Sequence, residues 1–328
     1  MESLWMYISN YSPLDDLRER RDAIFDKMCW HANEDTKKTD RARTDYFVRQ
    51  SLRAHRQFGD ANKLKNCRRG AYCGLIYCST CRGRHGDKLL ARFRGRIQGE
   101  GLDEDEVRDR FRWCTFLHAV VPADPTWVSE AIGNARAFYN AMSAKFDGSW
   151  AQGAFECELV DLVKVNNQRS SDAGQERKRE LVLKMSGRAS GDLFADEDYT
   201  WEDADGNQRS DWVLVHTHFL MDAGKHEIDA IKAYLKPKFP LDRQAIMERI
   251  WAPDVRSLDA SLKKMASYPF KNRSSYNYNF GHYDEIGPEA RFNANEMVTL
   301  FNLYKVMVGG NNKGHLLSWG IKSSWVKR

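Results

Sequence analysis

At 328 residues the chain is long enough to bury one large core or two modest ones. A hydrophobic share of 42% beside 30% charged residues excludes a disordered chain, and apolar runs such as Val213 to Val215 are far too short to span a bilayer. The net charge of +5 excludes little, so the distribution of charge carries more than its sum. Glu2 stands where a secretory leader would be basic then apolar, so a cytoplasmic protein without membrane contact is expected.

In chain order, Leu14 to Met28 and Ala42 to Phe58 carry apolar residues at helical spacing, making residues 1–60 a helical N-terminal region. Residues 61–105 hold four clustered cysteines and a basic helix over Asp87 to Ile97, followed by a charged linker from Gln98 to Arg110. The period then changes. Trp113 to Val121, Ala154 to Val165 and Trp212 to Met221 are rich in β-branched and aromatic residues and read as strands. Thr126 to Phe146 reads as an amphipathic helix between the first two. Asn166 to Gly206 is an insertion or long hairpin, with Leu181 to Met185 as a short strand inside it. Glu227 to Leu235 and Ser257 to Tyr268 read as helices, with a turn over Lys236 to Pro240 after the first. Asn293 to Val308 and Leu316 to Ile321 form a closing helix and strand. This order suits an α+β fold with helices on one face of a central sheet, residues 106–285 forming the main domain and 286–328 completing it.

Between Lys63 and Arg96 there are ten cations and one acid, Asp87, the composition of a phosphate-facing surface. Arg68, Arg69, Arg82, Arg84 and Arg92 are its DNA-binding candidates. Within it, Cys67, Cys73, Cys78 and Cys81 end in a Cys-x2-Cys knuckle, suited to one tetrahedral zinc ion, with His85 a substitute ligand should Cys67 point away. Zinc binding would then stabilise a segment too charged to build a core.

In Val213-Leu214-Val215-His216-Thr217-His218-Phe219, strand alternation turns His216 and His218 to one face. Two imidazoles one pleat apart can grip a divalent ion whose other positions take oxygen, which suits Mn²⁺ or Mg²⁺. Glu156 and Glu158 share one face of the preceding strand, and Glu158 is preferred as third ligand over Glu156 and His118. Further on, Tyr268-Pro269-Phe270-Lys271 sets a tyrosine three residues before a lysine, a pair that can serve as phosphodiester nucleophile and phosphate partner. Tyr234 is the rival nucleophile.

An apolar strand, Trp113 to Pro122, then His216-Thr217-His218, then Tyr268 to Lys271 resembles the three ordered motifs of rolling-circle replication initiators of the HUH endonuclease superfamily. The cysteine knot with its Arg-rich flank is similar to one that precedes the nuclease in plasmid initiators. The resemblance covers residues 67 to 275 and implies a central antiparallel sheet, a catalytic ion on the histidine pair and a covalent 5′-phosphotyrosine at Tyr268. It also implies a single-stranded or hairpin DNA origin as substrate, and a host helicase and polymerase as partners. Two departures stand out. Lys264 occupies the place where some initiators carry a water-activating glutamate, which leaves termination to Tyr276, Tyr278 or another base. Pro269 biases Tyr268 away from helical geometry. Within the same chemistry the alternatives are a relaxase or a single-tyrosine transposase; outside it, a non-catalytic zinc-dependent DNA-binding regulator.

Overall fold

The computed structural model describes residues 36–308, apart from 69, 76, 168–172, 188–198, 204–205, 253, 271–291 and 293, together with residues 316–320. Helices α1 (Thr36–Ala54) and α2 (Phe58–Asn66) lead to the cysteine segment, followed by α3 (Ser79–Glu100) and α4 (Glu104–Arg110). Strand β1 (Phe111–Pro122), helix α5 (Pro125–Lys145) and strand β2 (Trp150–Asp161) come next, then α6 (Leu162–Asn167) and α7 (Ala173–Met185). A two-stranded pair, β3 (Trp201–Glu202) and β4 (Gln208–Arg209), precedes β5 (Asp211–Asp222). The chain closes with α8 (Ile228–Leu235), β6 (Ala245–Arg249), α9 (Leu258–Ser267) running into a 3₁₀ turn (Tyr268–Phe270), α10 (Ala294–Val308) and β7 (Leu316–Trp319).

The main sheet is antiparallel throughout, in the order β6-β1-β5-β2-β7. Every residue of the central β5 is buried, so neither face meets water. That overturns the expectation of helices on one face only. On the face of Phe155 and Phe219, α5 brings Tyr139, whose ring lies 6.2 Å and 5.6 Å from theirs. On the face of Ala154 and Leu220, α3 and α9 supply Leu89, Phe93, Leu262 and Met265 to a second core.

Local rules account for several boundaries that the sequence pattern placed elsewhere. The expected helix from Ala42 to Phe58 breaks at Arg56, whose φ of 59° puts it in the left-handed region. Arg56 N–H donates to Arg53 O and Gln57 N–H to Leu52 O, the paired bonds that close a helix end. The charged linker contains α4, opened by a reciprocal capping box between Asp103 and Glu106. Leu181 to Met185, read as a strand, is the last turn and a half of α7, because Leu181, Val182 and Leu183 pack as a helical cap on the sheet. The sequence pattern also missed β6, five residues without clean alternation that become a strand by pairing with β1 from Arg112↔Arg249 to Phe116↔Ala245. The expected helix over Leu14 to Met28 lies outside the described residues.

Gly153 is required by a close approach. A Cβ there would lie 2.0 Å from His218 O and 2.4 Å from Phe219 Cβ. Gly153→Ala therefore forces β2 and β5 apart beside the histidines, and should cost about 1–3 kcal/mol or more in denaturant unfolding. A variant as stable as wild type would show that the strands do not approach this closely.

Candidate functional site

The β2–β5 ladder places Glu156 directly opposite His216, and Ala154 opposite His218. The two imidazoles and the carboxylate converge on one face. Glu156 Oε2 is 3.2 Å from His216 Nε2 and 3.5 Å from His218 Nε2, and all three residues are buried. Glu158 shares that face but pairs with Leu214, one repeat further along, so the expected third ligand is corrected to Glu156. His118 is not a ligand either. It is the extra residue of a β-bulge between Leu117 and Ala119 and turns to the opposite face, where Nε2 meets Tyr139 Oη at 3.0 Å and Thr217 Oγ1 at 3.1 Å. Burial first, and then the charge of His216, pushes the His118 pKa down to about 3, so its imidazole stays neutral.

The second contacts of the histidines fix their use. Thr115 Oγ1 hydrogen-bonds His218 Nδ1 at 2.8 Å, which leaves Nε2 toward Glu156. His216 Nδ1 is buried with no hydrogen-bond partner among the described residues. Two imidazole nitrogens and a carboxylate oxygen within reach of one another form a donor set that suits a divalent cation, and that cation would also separate groups otherwise crowded together.

Tyr268 stands beside this cluster. Its ring centroid lies 4.9 Å from that of His218 and 6.2 Å from that of Trp113, edge-on to both, while Trp113 and His218 stack at 5.9 Å. α9 ends at Ser267, one residue short of the expected Tyr268, and Tyr268 keeps helical backbone angles (φ −64°, ψ −47°), contrary to the expected bias, because the chain tightens into the 3₁₀ turn. Tyr234 sits elsewhere, against Phe138 and Phe146, with Lys238 over its ring. Lys264 turns toward Trp251 rather than the cluster. Lys271, Tyr276 and Tyr278 lie outside the described residues.

Two side chains that the sequence pattern did not single out hold the frame. β7 pairs with β2 only from Ala151 to Ala154, and beyond it Tyr304 Oη acts as a substitute strand. It accepts from Cys157 N–H at 3.1 Å and donates to Cys157 O at 3.2 Å, pinning the backbone next to Glu156. Asp222, wholly buried at the end of β5, receives Arg96 at 2.8 Å and Arg110 at 2.9 Å. That ties the last turns of α3 to the histidine strand.

The four clustered cysteines converge as the spacing predicted. Cys67 and Cys73 Sγ lie 3.6 Å and 3.5 Å from Cys81 Sγ, Cys73 N–H points at Cys67 Sγ at 3.4 Å, and Cys78 completes the group. Gly70 and Gly74, at φ of 91° and 76°, make the turns that fold the segment back on itself. Hydrogen bonds from Cys73 and Cys78 pull the Cys81 thiol down to about 4, and giving such bonds pushes Cys73 up. Four thiols within reach of one another suit a single tetrahedral ion. His85 is not needed as a substitute. It stacks on Phe270 at 5.7 Å, and burial, with Lys88, Arg84 and Arg92 nearby, lowers its pKa. Ser79 N–H donates to Asp45 at 3.0 Å, so α1 caps the helix that leaves the knot.

Of the basic candidates, Arg68, Arg84 and Arg92 are exposed, with the Arg84 guanidinium 4.3 Å over the Tyr72 ring. Arg82 is half-buried beside Asp45, and Arg69 lies outside the described residues. Among the described residues, no helix is long and apolar enough to cross a membrane. No protein-family model matches the chain, and no curated protein or solved structure matches it.

Glu156→Gln should abolish divalent-metal binding at the histidine site, read by titration calorimetry, while Glu158→Gln binds as wild type; the reverse outcome would restore Glu158 as ligand. Cys78→Ser with Cys81→Ser should lose about one bound ion per chain by metal analysis and unfold at lower temperature. Unchanged metal content would dissolve the cysteine site.

Proposed function

We propose that this chain is a metal-dependent tyrosine nuclease of the HUH type that nicks and rejoins one DNA strand as a replication initiator. The observation that carries the reading is Tyr268 in edge contact with His218, one ring away from the Glu156–His216–His218 cluster. Manganese or magnesium suits the mixed nitrogen and oxygen donors there, and zinc suits the four thiolates. When bound at the histidines, the divalent ion supplies Lewis-acid polarisation of the scissile phosphate.

The chain's own residues do the rest. Thr115 holds His218 in the orientation that presents Nε2, and Glu156 contributes the carboxylate. Trp113 and His218 fix the plane of the Tyr268 ring, so that its hydroxyl has one direction of approach. In the nicking step the Tyr268 Oη–phosphorus bond forms, the bond from phosphorus to the 3′ oxygen breaks, the phenol releases its proton and the leaving oxygen takes one. Attack by a free 3′-hydroxyl on the phosphotyrosine runs the same exchange backwards and rejoins the strand. Helix α3 adds electrostatic affinity, since Arg84 and Arg92 are exposed while its other side packs at Gly86 against Ala266 and Ser267, beside the tyrosine.

Incubating the protein with circular single-stranded DNA and Mn²⁺ should yield a covalent adduct whose peptide carries Tyr268. Tyr268→Phe should reduce nicking by about 10³-fold or more while DNA binding persists, and Tyr234→Phe should leave both unchanged. An adduct surviving in Tyr268→Phe would move the nucleophile; no adduct from wild type would leave a zinc-dependent DNA-binding protein as the better reading.

A further inference from the structure

The inserted segment after β2 does more than connect strands. Arg179, wholly buried, donates to the carbonyls of Val165 and Asn166 and pairs with Glu176, which fixes α7 against the end of α6. So anchored, α7 forms one wall of a cavity of about 500 Å³ whose opposite wall is the site face of β1 and β6. Thr115 and Leu117 line it, and Thr115 is the residue that bonds His218. Ile246, paired with Thr115 across the β1–β6 ladder, lies on the same wall. The cavity therefore begins one hydrogen bond from the metal cluster, further along β1 than Trp113 and Tyr268.

Its lining is divided. Leu117, Leu181, Leu241 and Ile246 are apolar, while Arg177, Lys178, Lys184 and Arg243 bring four positive charges against the two of Glu180 and Asp242. Lys184 spends part of its charge on Glu180 at 3.8 Å. An apolar slot with a cationic margin, inside the ~300–1,000 Å³ range of ligand sites, fits a flat base with a phosphate attached. Arg243 adds an independent sign. It holds φ at 60°, a backbone cost that glycine or asparagine would avoid, in a turn locked to the β1 bulge by Leu117 N–H to Gln244 O at 2.9 Å. A bulky cation kept in that conformation at the mouth of a cavity points to a use for its side chain.

We propose that this cavity takes one nucleotide of the single strand adjacent to the scissile phosphate, its base against the leucines and its phosphates on Arg177, Lys178 and Arg243. The position next to a scissile phosphate rests on the nuclease reading; strand binding in the cavity does not. The probe is an oligothymidylate of about twelve nucleotides, within the span of single-strand grooves, carrying 5-iododeoxyuridine and used with the full chain. Irradiation should crosslink peptides containing Leu181 or Leu241. Arg177→Ala with Lys178→Ala should weaken binding about tenfold and lower the slope of log affinity against log salt by about 1.4, the value for two lost phosphate contacts. Arg243→Gly should weaken binding while leaving the unfolding midpoint unchanged or raised, because it removes the charge and relieves the backbone together. Crosslinks mapping away from both peptides, or wild-type affinity in both variants, would overturn the cavity assignment even if the Tyr268 adduct forms. Weakened variants without any adduct from wild type would keep the cavity as a strand-binding site and remove the nuclease.

Discussion

Glu156 and His216 face each other because β2 and β5 pair in one continuous register, from Trp150↔Asp222 to Asp161↔Asp211. A slip of one residue would send Glu156 to the opposite face, and a slip of two would bring Glu158 to His216 instead. Neither slip is free. Gly153 admits His218 O and Phe219 at a distance that no side chain would tolerate, and that fit exists in one register only. At the other end of β2, Tyr304 Oη brackets the backbone of Cys157 where β7 has run out. The donor cluster is thus a product of strand pairing, held above by a tyrosine hydroxyl and below by a missing Cβ.

The tyrosine is placed by a longer chain of contacts. Asp222 is inaccessible to water, and a carboxylate so buried is stable only with its partners; removing one typically costs about 3–5 kcal/mol. Arg96 and Arg110 are those partners, so the C-terminal part of α3 cannot leave the end of β5 without stranding a charge. α3 in turn packs against α9, with Gly86 beside Ala266 and Ser267 and Arg94 paired to Asp259, and α9 delivers Tyr268. At its other end α3 begins in the cysteine knot, with Cys78 at the cap position and Cys81 in the first turn. The knot is therefore one of two anchors of the helix that positions Tyr268, which connects the cysteine group physically to the Glu156–His216–His218 cluster.

The parts of this arrangement that follow from local pattern were legible in the sequence. β1, β2 and β5 announce themselves by β-branched and aromatic runs, and alternation alone puts His216 and His218 on one face. The cysteine spacing predicted a convergence that needs no tertiary context beyond the two glycine turns. What stayed hidden depends on partners distant in sequence. The choice between Glu156 and Glu158 is a matter of register, invisible to a period of two that serves both equally. β6 has no alternation of its own and is a strand because β1 pairs with it. Leu181 to Met185, the end of α7, reads as a strand because Leu181-Val182-Leu183 is apolar without a period, whereas in the fold all three are buried as part of a helix. His118, in an apolar strand like His216 and His218, is removed from their face by a bulge, next to which Gln244 bonds both Leu117 N–H and Leu117 O.

If the chain is a nuclease, affinity and chemistry have separate structural sources in it. The sheet face brings together Glu156, His216, His218, Thr115 and Trp113, and the placement of each depends on register. The exposed cations come from segments laid over that face: Arg84 and Arg92 from the knot helix on the Tyr268 side, Arg177 and Arg243 from α7 and the β6 turn on the Leu117 side. On the proposed reading, a strand held at both margins would cross the metal cluster between them, its backbone spanning the distance from Tyr268 to the cavity. Binding should then weaken steeply with salt, because it is electrostatic, whereas the geometry at Tyr268 should not, because it is set by buried pairs that salt barely screens. Substitutions of Arg84, Arg92, Arg177 or Arg243 should accordingly combine additively with Tyr268→Phe, since they act on different steps.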